Sequence, residues 1–132
     1  MKTLISVFCI TIVVTLNMKS VSAFPQFNSV FKKTYVSAHS PREFKTLIKK
    51  TKCAICHDNT KKKPNGSTDK KFRNPYGEAL DELLSKEDKK NKEKIREALE
   101  KISSQKAPNS DETYGDRLKK YQLPYETPPK TE

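Results

Sequence analysis

The spacing of apolar residues along the chain predicts helices, and no segment has the alternation of a convincing strand. In four segments an apolar side chain recurs every three or four positions, which is the pattern of a helix that buries one face. The apolar positions of these segments are Phe27, Val30, Phe31 and Tyr35; Phe44, Leu47 and Ile48; Tyr76, Ala79, Leu80, Leu83 and Leu84; and Ile95, Ala98, Leu99 and Ile102. A further short helix is predicted between Tyr114 and Tyr121. We therefore expect an all-α fold of about four or five short helices.

Boundary signals place the second helix directly before a cysteine motif. Ser40-Pro41-Arg42-Glu43 has the form of a capping box with proline at the first helical position, so we predict that the helix begins there. Its apolar phase continues to Ile55, so this helix or a close continuation delivers the segment Cys53-Ala54-Ile55-Cys56-His57. Residues 58–75 are polar, basic and interrupted by proline and by Asn-Gly, which predicts a long loop.

The first 23 residues have the pattern of a secretory signal peptide. Lys2 precedes an apolar run from Leu4 to Leu16, and Val21-Ser22-Ala23 places small residues before a predicted cleavage. A membrane anchor is the alternative, but this run would span only about 20 Å of a hydrocarbon core of about 30 Å. We expect export to the periplasm or an equivalent space, cleavage near Ala23 and no transmembrane segment afterwards. Whether the leader is retained stays open.

The composition predicts that side-chain packing alone is too weak to hold the fold. Hydrophobic residues make up 33% of the chain, many of them in the leader, and the net charge is +11. Chains with few aliphatic residues and a high net charge usually bury too little apolar area to fold. Another source of stability is therefore expected.

The segment Cys53-Ala54-Ile55-Cys56-His57 is C-x-x-C-H, the attachment sequence for a c-type haem. Each cysteine can form a thioether to one haem vinyl group, and the next residue can then direct its imidazole at the iron. A covalent haem is not lost outside the cell, and its flat apolar surface offers what the lean core lacks. We therefore predict one covalently attached haem c in a domain of residues 24–123, followed by an extended proline-rich tail of residues 124–132.

On this motif the chain resembles small monohaem c-type cytochromes. It is also similar to a group of short secreted cytochrome-like proteins of planctomycete bacteria. They share a leader, a C-x-x-C-H after a basic helix and an Arg-Asn-x-Tyr-Gly run, here Arg73-Asn74-Pro75-Tyr76-Gly77. The resemblance covers roughly Phe27 to Leu84. It implies that Cys53 and Cys56 bind the haem, that His57 is the proximal iron ligand, and that the protein transfers single electrons.

The second axial ligand of the iron separates this chain from many small cytochromes c, which use a methionine. Met1 and Met18 both lie in the predicted leader, so cleavage would exclude methionine as a ligand. His39 is a possible distal ligand or else a solvated loop residue. A lysine, a tyrosine, the new amino terminus at Phe24 or no protein ligand are the other options. Without methionine we expect a low potential, whereas an open sixth position would admit NO, CO or peroxide.

We predict an electron carrier and not an enzyme, because no arrangement of acid, base and nucleophile stands out. A gas-binding haem sensor and a haem-free, disulfide-stapled basic binding module are the alternatives. A thioredoxin-like dithiol lacks its β-α-β pattern, and zinc on Cys53, Cys56 and His39 lacks a fourth ligand.

Positive charge flanks the motif on both sides, in the runs Lys49-Lys50, Lys61-Lys62-Lys63 and Lys70-Lys71 and at Lys52. Such a face predicts docking of an acidic redox partner, with ordinary solvation of a lean core as the alternative. Nucleic acid is not expected, because these runs carry no interleaved aromatic residues, and we expect a monomer.

Weaker patterns concern the surroundings of the haem. Arg73, Asn74 and Tyr76 are candidate hydrogen-bond donors to its carboxylates. A backbone carbonyl near Pro64 or Pro75 is a candidate acceptor for the second ring nitrogen of the iron-binding histidine.

Overall fold

The computed structural model describes residues 25–126, which form five α-helices joined by turns. The helices are α1 (Pro25–Tyr35), α2 (Arg42–Thr51), α3 (Pro75–Leu83), α4 (Lys92–Ser103) and α5 (Tyr114–Lys119). Two short 3₁₀ helices lie at Lys52–Ile55 and Lys86–Lys90. Residues 25–126 contain no strand, only isolated bridges, so the prediction of an all-α fold is confirmed. The predicted leader lies outside the described residues.

Helix α4 is the centre of the fold, and α1, α3 and α5 all pack against it. Its apolar stripe is buried as the sequence predicts, with Ile95, Leu99 and Ile102 each almost completely covered. The charged residues of α4 lie on its opposite face, which is exposed. The amphipathic pattern of one helix therefore determines where three others pack.

Aromatic side chains make up part of the core and pack against one another there. The Tyr76 side chain is completely buried and meets the rings of Phe31 and Tyr114 edge-on, at centroid distances of 6.1 and 5.0 Å. The Tyr35 hydroxyl donates to the Leu99 carbonyl at 3.0 Å. Because aromatic pairs stabilise by about 0.5–1.5 kcal/mol beyond their buried area, this cluster joins α1, α3, α4 and α5 with few residues.

The start of α2 differs from the prediction. The helix has Pro41 as its N-cap and no capping hydrogen bond from a side chain. The Ser40 hydroxyl accepts instead from the backbone N–H of Ser37 at 3.0 Å, and so closes the turn after α1. The predicted capping box is wrong, because the turn uses the serine oxygen that the helix would have needed.

The packed chain continues beyond residue 123, where the predicted proline-rich tail begins. Pro124 is buried, Tyr125 packs against the core, and the Arg117 guanidinium donates to the Leu123 carbonyl at 2.9 Å. Residues 127–132 lie outside the described range. Within residues 25–126, every helix is too short or too polar to cross a bilayer.

Candidate functional site

The C-x-x-C-H motif forms one tight turn at the end of α2. Lys52 has a positive φ of 47°, which ends the α-helix, and the 3₁₀ helix Lys52–Ile55 begins at this residue. The backbone N–H groups of Cys56 and His57 both donate to the Cys53 carbonyl, at 3.2 and 3.0 Å. The three predicted site residues, Cys53, Cys56 and His57, are therefore held on a single hydrogen-bonded turn.

Cys53, Cys56 and His57 line one cleft with a volume of about 530 Å³. Cys53 is exposed, Cys56 is half-buried, and His57 is 7% exposed. The other walls come from α1, α3 and α4 and are mostly apolar: Phe27, Phe31, Leu80, Leu84, Ile95 and Leu99. Cofactor sites in proteins have volumes of about 300–1,000 Å³ and this same mixture of apolar walls with a few polar groups. Two thiols, one imidazole and an apolar cleft fit a covalently attached haem.

A buried asparagine fastens the motif to the start of α3. Asn74 is 4% exposed, and its side-chain NH₂ donates to the carbonyls of Ala54 and Ile55, at 3.1 and 3.0 Å. Its side-chain oxygen accepts from the Gly77 N–H at 2.9 Å, and its own backbone N–H donates to the Cys56 carbonyl at 3.1 Å. The predicted contact of Asn74 with haem carboxylates is therefore wrong, because the protein backbone already uses both ends of the amide.

Arg73 and Tyr76, the other two candidate donors to the haem carboxylates, also contact other parts of the protein. The Arg73 guanidinium pairs with the Asp81 carboxylate at 2.7 Å. The Tyr76 side chain lies in the aromatic core, where its position in the helix pattern predicted it.

Gly77 allows α3 to begin directly against the motif. A Cβ atom at this position would lie 1.9 Å from the Cys56 carbonyl oxygen, closer than any two such atoms can approach. The Arg-Asn-x-Tyr-Gly run is thus a helix start that approaches the cysteine turn at backbone distance. Sequence analysis did not identify this role for Asn74 or Gly77.

The loop after the motif sets the orientation of His57. Its Nδ1 lies 3.3 Å from the Phe72 carbonyl oxygen, which also accepts from the Asp58 N–H at 3.1 Å. Because a carbonyl can only accept, Nδ1 carries the proton, and Nε2 keeps the lone pair that a metal requires. The orienting carbonyl is close to Pro75 in sequence, one of the two places that the sequence indicated.

The environment of His57 favours its neutral, metal-binding form. Burial lowers its pKa most strongly, the hydrogen bond to Phe72 opposes this, and the positive charges of Arg73 and Lys70 lower the pKa further. Protonation of the ring is therefore disfavoured at neutral pH.

The Cys56 thiol is poorly suited to redox exchange. Burial, followed by the neighbouring Cys53 sulfur, raises the pKa of Cys56 to about 12. Thiol–disulfide exchange proceeds through a thiolate, which is scarce at neutral pH for such a group.

Residues 25–126 contain no group of three or more His, Cys, Asp or Glu side chains arranged to hold a metal ion.

His39 is not brought to the cleft. It is exposed in the turn between α1 and α2, and the cleft wall does not include it. Its role as a distal iron ligand stays a prediction.

Besides the motif, the polar side chains that line the cleft are Asn28, Ser29, Lys32, Lys52 and Lys70. Asn28 was not identified from the sequence, because a single amide on an amphipathic helix carries no periodic signal.

The basic loop between the motif and α3 is ordered by its own hydrogen bonds. Lys62 pairs with Thr68 in an isolated bridge, and Gly66 takes a positive φ of 80° at the tip. The Phe72 ring is 48% exposed with the Lys61 ammonium 5.9 Å from its centre. The residue whose carbonyl orients His57 therefore presents an exposed aromatic ring on the lysine-rich surface of this loop.

No protein-family model, curated protein or solved structure matches this chain. The chemistry of the cleft therefore carries the functional conclusion.

Proposed function

We propose that this protein is an exported monohaem cytochrome of the c type, which binds one haem covalently and carries single electrons. The observation that supports this most strongly is the placement of Cys53, Cys56 and His57 on one turn that lines an apolar cleft of about 530 Å³. A five-residue motif can occur by chance, but here its two thiols and its imidazole face the same cleft as apolar side chains from α1, α3 and α4.

The residues of the cleft have separate roles in this proposal. Cys53 and Cys56 tether the haem, and the Nε2 atom of His57 binds its iron while the Phe72 carbonyl holds the other ring nitrogen. The bound haem supplies an iron that alternates between two oxidation states and so stores one electron. Leu80, Leu84 and their neighbours in the wall exclude water from it.

Two features bear on the potential and the partner. Methionine does not occur among residues 25–126, so the proposed iron lacks that ligand and a low potential follows. The exposed lysines of residues 61–63 and 70–71 form a positive surface beside the motif. Such a surface steers an acidic redox protein toward the cleft in short-lived encounters. We infer a carrier that acts as a monomer and has no catalysis of its own.

The test is the intact mass and the pyridine-haemochrome spectrum of the full chain, exported from bacteria that carry the c-type haem maturation machinery. The test variant is Cys53→Ala with Cys56→Ala, and the matched control is Cys9→Ala, which removes the cysteine of the predicted leader. We expect haem that survives denaturation in the wild type and the control, and none in the double variant. A chain without haem whose mass is two hydrogens below that of the thiol form would refute the proposal in favour of a disulfide-stapled module.

A further inference from the structure

We propose that Asn28 is a hydrogen-bonding position for a small, neutral, oxygen-containing ligand inside the cleft, an inference that rests on the proposed haem. Water is the ligand in the resting protein, and carbon monoxide or nitric oxide competes with it. The protein would then bind diatomic gases in addition to carrying electrons.

The inference starts from an unpaired polar atom. The side-chain oxygen of Asn28 is buried, lines the cleft and has no hydrogen-bond partner among the described residues. Nearly all buried polar atoms in folded proteins are paired, because an unpaired one is costly. A molecule that fills the cleft is the natural source of the missing partner.

The aromatic rings on either side of Asn28 in the cleft wall favour a small and uncharged ligand at its amide. The adjacent walls carry the rings of Phe27 and Phe31, and burying a carboxylate among apolar groups is unfavourable. The haem carboxylates have better partners in the ammonium groups of Lys32, Lys52 and Lys70, which line the same cleft. The amide of Asn28 is therefore left for a neutral molecule.

An asparagine amide suits both members of the proposed exchange. Its oxygen accepts from the O–H of water, and a half-turn of the amide presents its NH₂ group to the oxygen of carbon monoxide or nitric oxide. The described part of the cleft wall contains neither a second histidine nor a methionine. Among its side chains, only the lysine amines could compete with such a ligand for the iron.

The experiment uses the haem-loaded full chain, reduced and exposed to carbon monoxide. Asn28→Leu removes the amide at similar volume, and Ser29→Ala is the matched control because Ser29 lines the same cleft but is exposed. Infrared spectroscopy gives the C–O stretching frequency, and stopped flow gives the dissociation rate. We expect Asn28→Leu to raise the stretching frequency and to speed dissociation about two- to tenfold, as loss of one hydrogen bond predicts. Ser29→Ala should change neither.

Asn28→Gln keeps an amide and should return both readouts toward the wild type, which makes the test independent of how Asn28→Leu folds. Failure of the haem-loaded wild type to bind carbon monoxide would overturn this inference and leave the haem proposal intact. An unchanged stretching frequency in Asn28→Leu would overturn it as well, and would point to a contact of Asn28 with a haem carboxylate. Absence of haem in the mass measurement overturns both proposals.

Discussion

Replacing Asn74 by aspartate distinguishes two roles that this residue could have at the start of α3. As a simple N-cap, its side-chain oxygen accepts from the Gly77 N–H, and aspartate caps helices as well as asparagine does. As a link between α3 and the cysteine turn, it must also donate to the carbonyls of Ala54 and Ile55. Aspartate would direct a carboxylate oxygen at those two carbonyls.

The magnitude follows from the burial of these hydrogen bonds. The contacts of Asn74 with Ile55 and Gly77 are buried, and the contact with Ala54 is partly buried. A buried group left unpaired costs about 1–3 kcal/mol. Water can partly satisfy the Ala54 carbonyl, because that contact is only partly buried. We expect Asn74→Ala to lower the free energy of unfolding by about 3–5 kcal/mol and Asn74→Asp by at least as much.

The assay is urea unfolding of the full chain at neutral pH, followed by circular dichroism. Asn91→Asp is the matched control, since Asn91 caps α4 by accepting from the Lys94 N–H at 3.0 Å at an exposed position. The control should stay within about 0.5 kcal/mol of the wild type. A comparably small change in Asn74→Asp would refute the link to the cysteine turn and leave Asn74 as an ordinary cap.

Two further substitutions test the close contact of Gly77 with the cysteine turn and the pH dependence of stability. Gly77→Ala should reduce haem attachment and lower the free energy of unfolding by more than about 3 kcal/mol, because its Cβ would lie 1.9 Å from the Cys56 carbonyl oxygen. Gly66→Asn is its control and should cost less than about 1 kcal/mol, since asparagine tolerates the positive φ there and no atom lies nearby. Asp88 tests the pH dependence: hydrogen bonds, first from the Lys94 ammonium and then from the Ser85 N–H, lower its pKa to about 2. Because the unfolded value is about 3.9, its stabilisation is complete above that pH and is lost as the pH falls toward the folded value. Asp88→Asn should flatten the acid limb of the melting temperature against pH, and an unchanged limb would contradict this assignment.

The helices could be predicted from the sequence because their signals are local. The apolar stripes of α3 and α4 recur every three or four residues, and the structure buries the same stripes. The approach of α2 to the cysteine motif was predictable for the same reason. The prediction failed at Ser40, whose hydroxyl could accept either from the start of α2 or from the turn before it. In the structure it accepts from the Ser37 N–H of the turn.

The architecture of the site depends on contacts between residues far apart in sequence, and no periodic pattern encodes such contacts. Asn74 bonds to carbonyls 19 and 20 positions away, and Gly77 is required only because α3 begins against Cys56. Pro124 is a further case, since the composition of the predicted tail gave no sign that the fold buries its first residue. The roles of Asn74, Gly77 and Pro124 all depend on which parts of the chain lie close together in the fold. The type of side chain alone does not reveal this.

The cleft and the core share the same helix faces, which couples cofactor binding to folding. Leu80, Leu84, Ile95 and Leu99 belong to the buried core and also line the cleft. An apolar group bound there adds contacts to residues that already hold α3 and α4 together, and a group that binds only the folded chain stabilises it. Asn74 joins this core to the cysteine turn, so a variant that breaks the link should weaken cofactor attachment and global stability together. Loss of stability with undiminished haem attachment in Asn74→Ala would mean that the cysteine turn forms without α3, and the coupling argued from these contacts would be wrong.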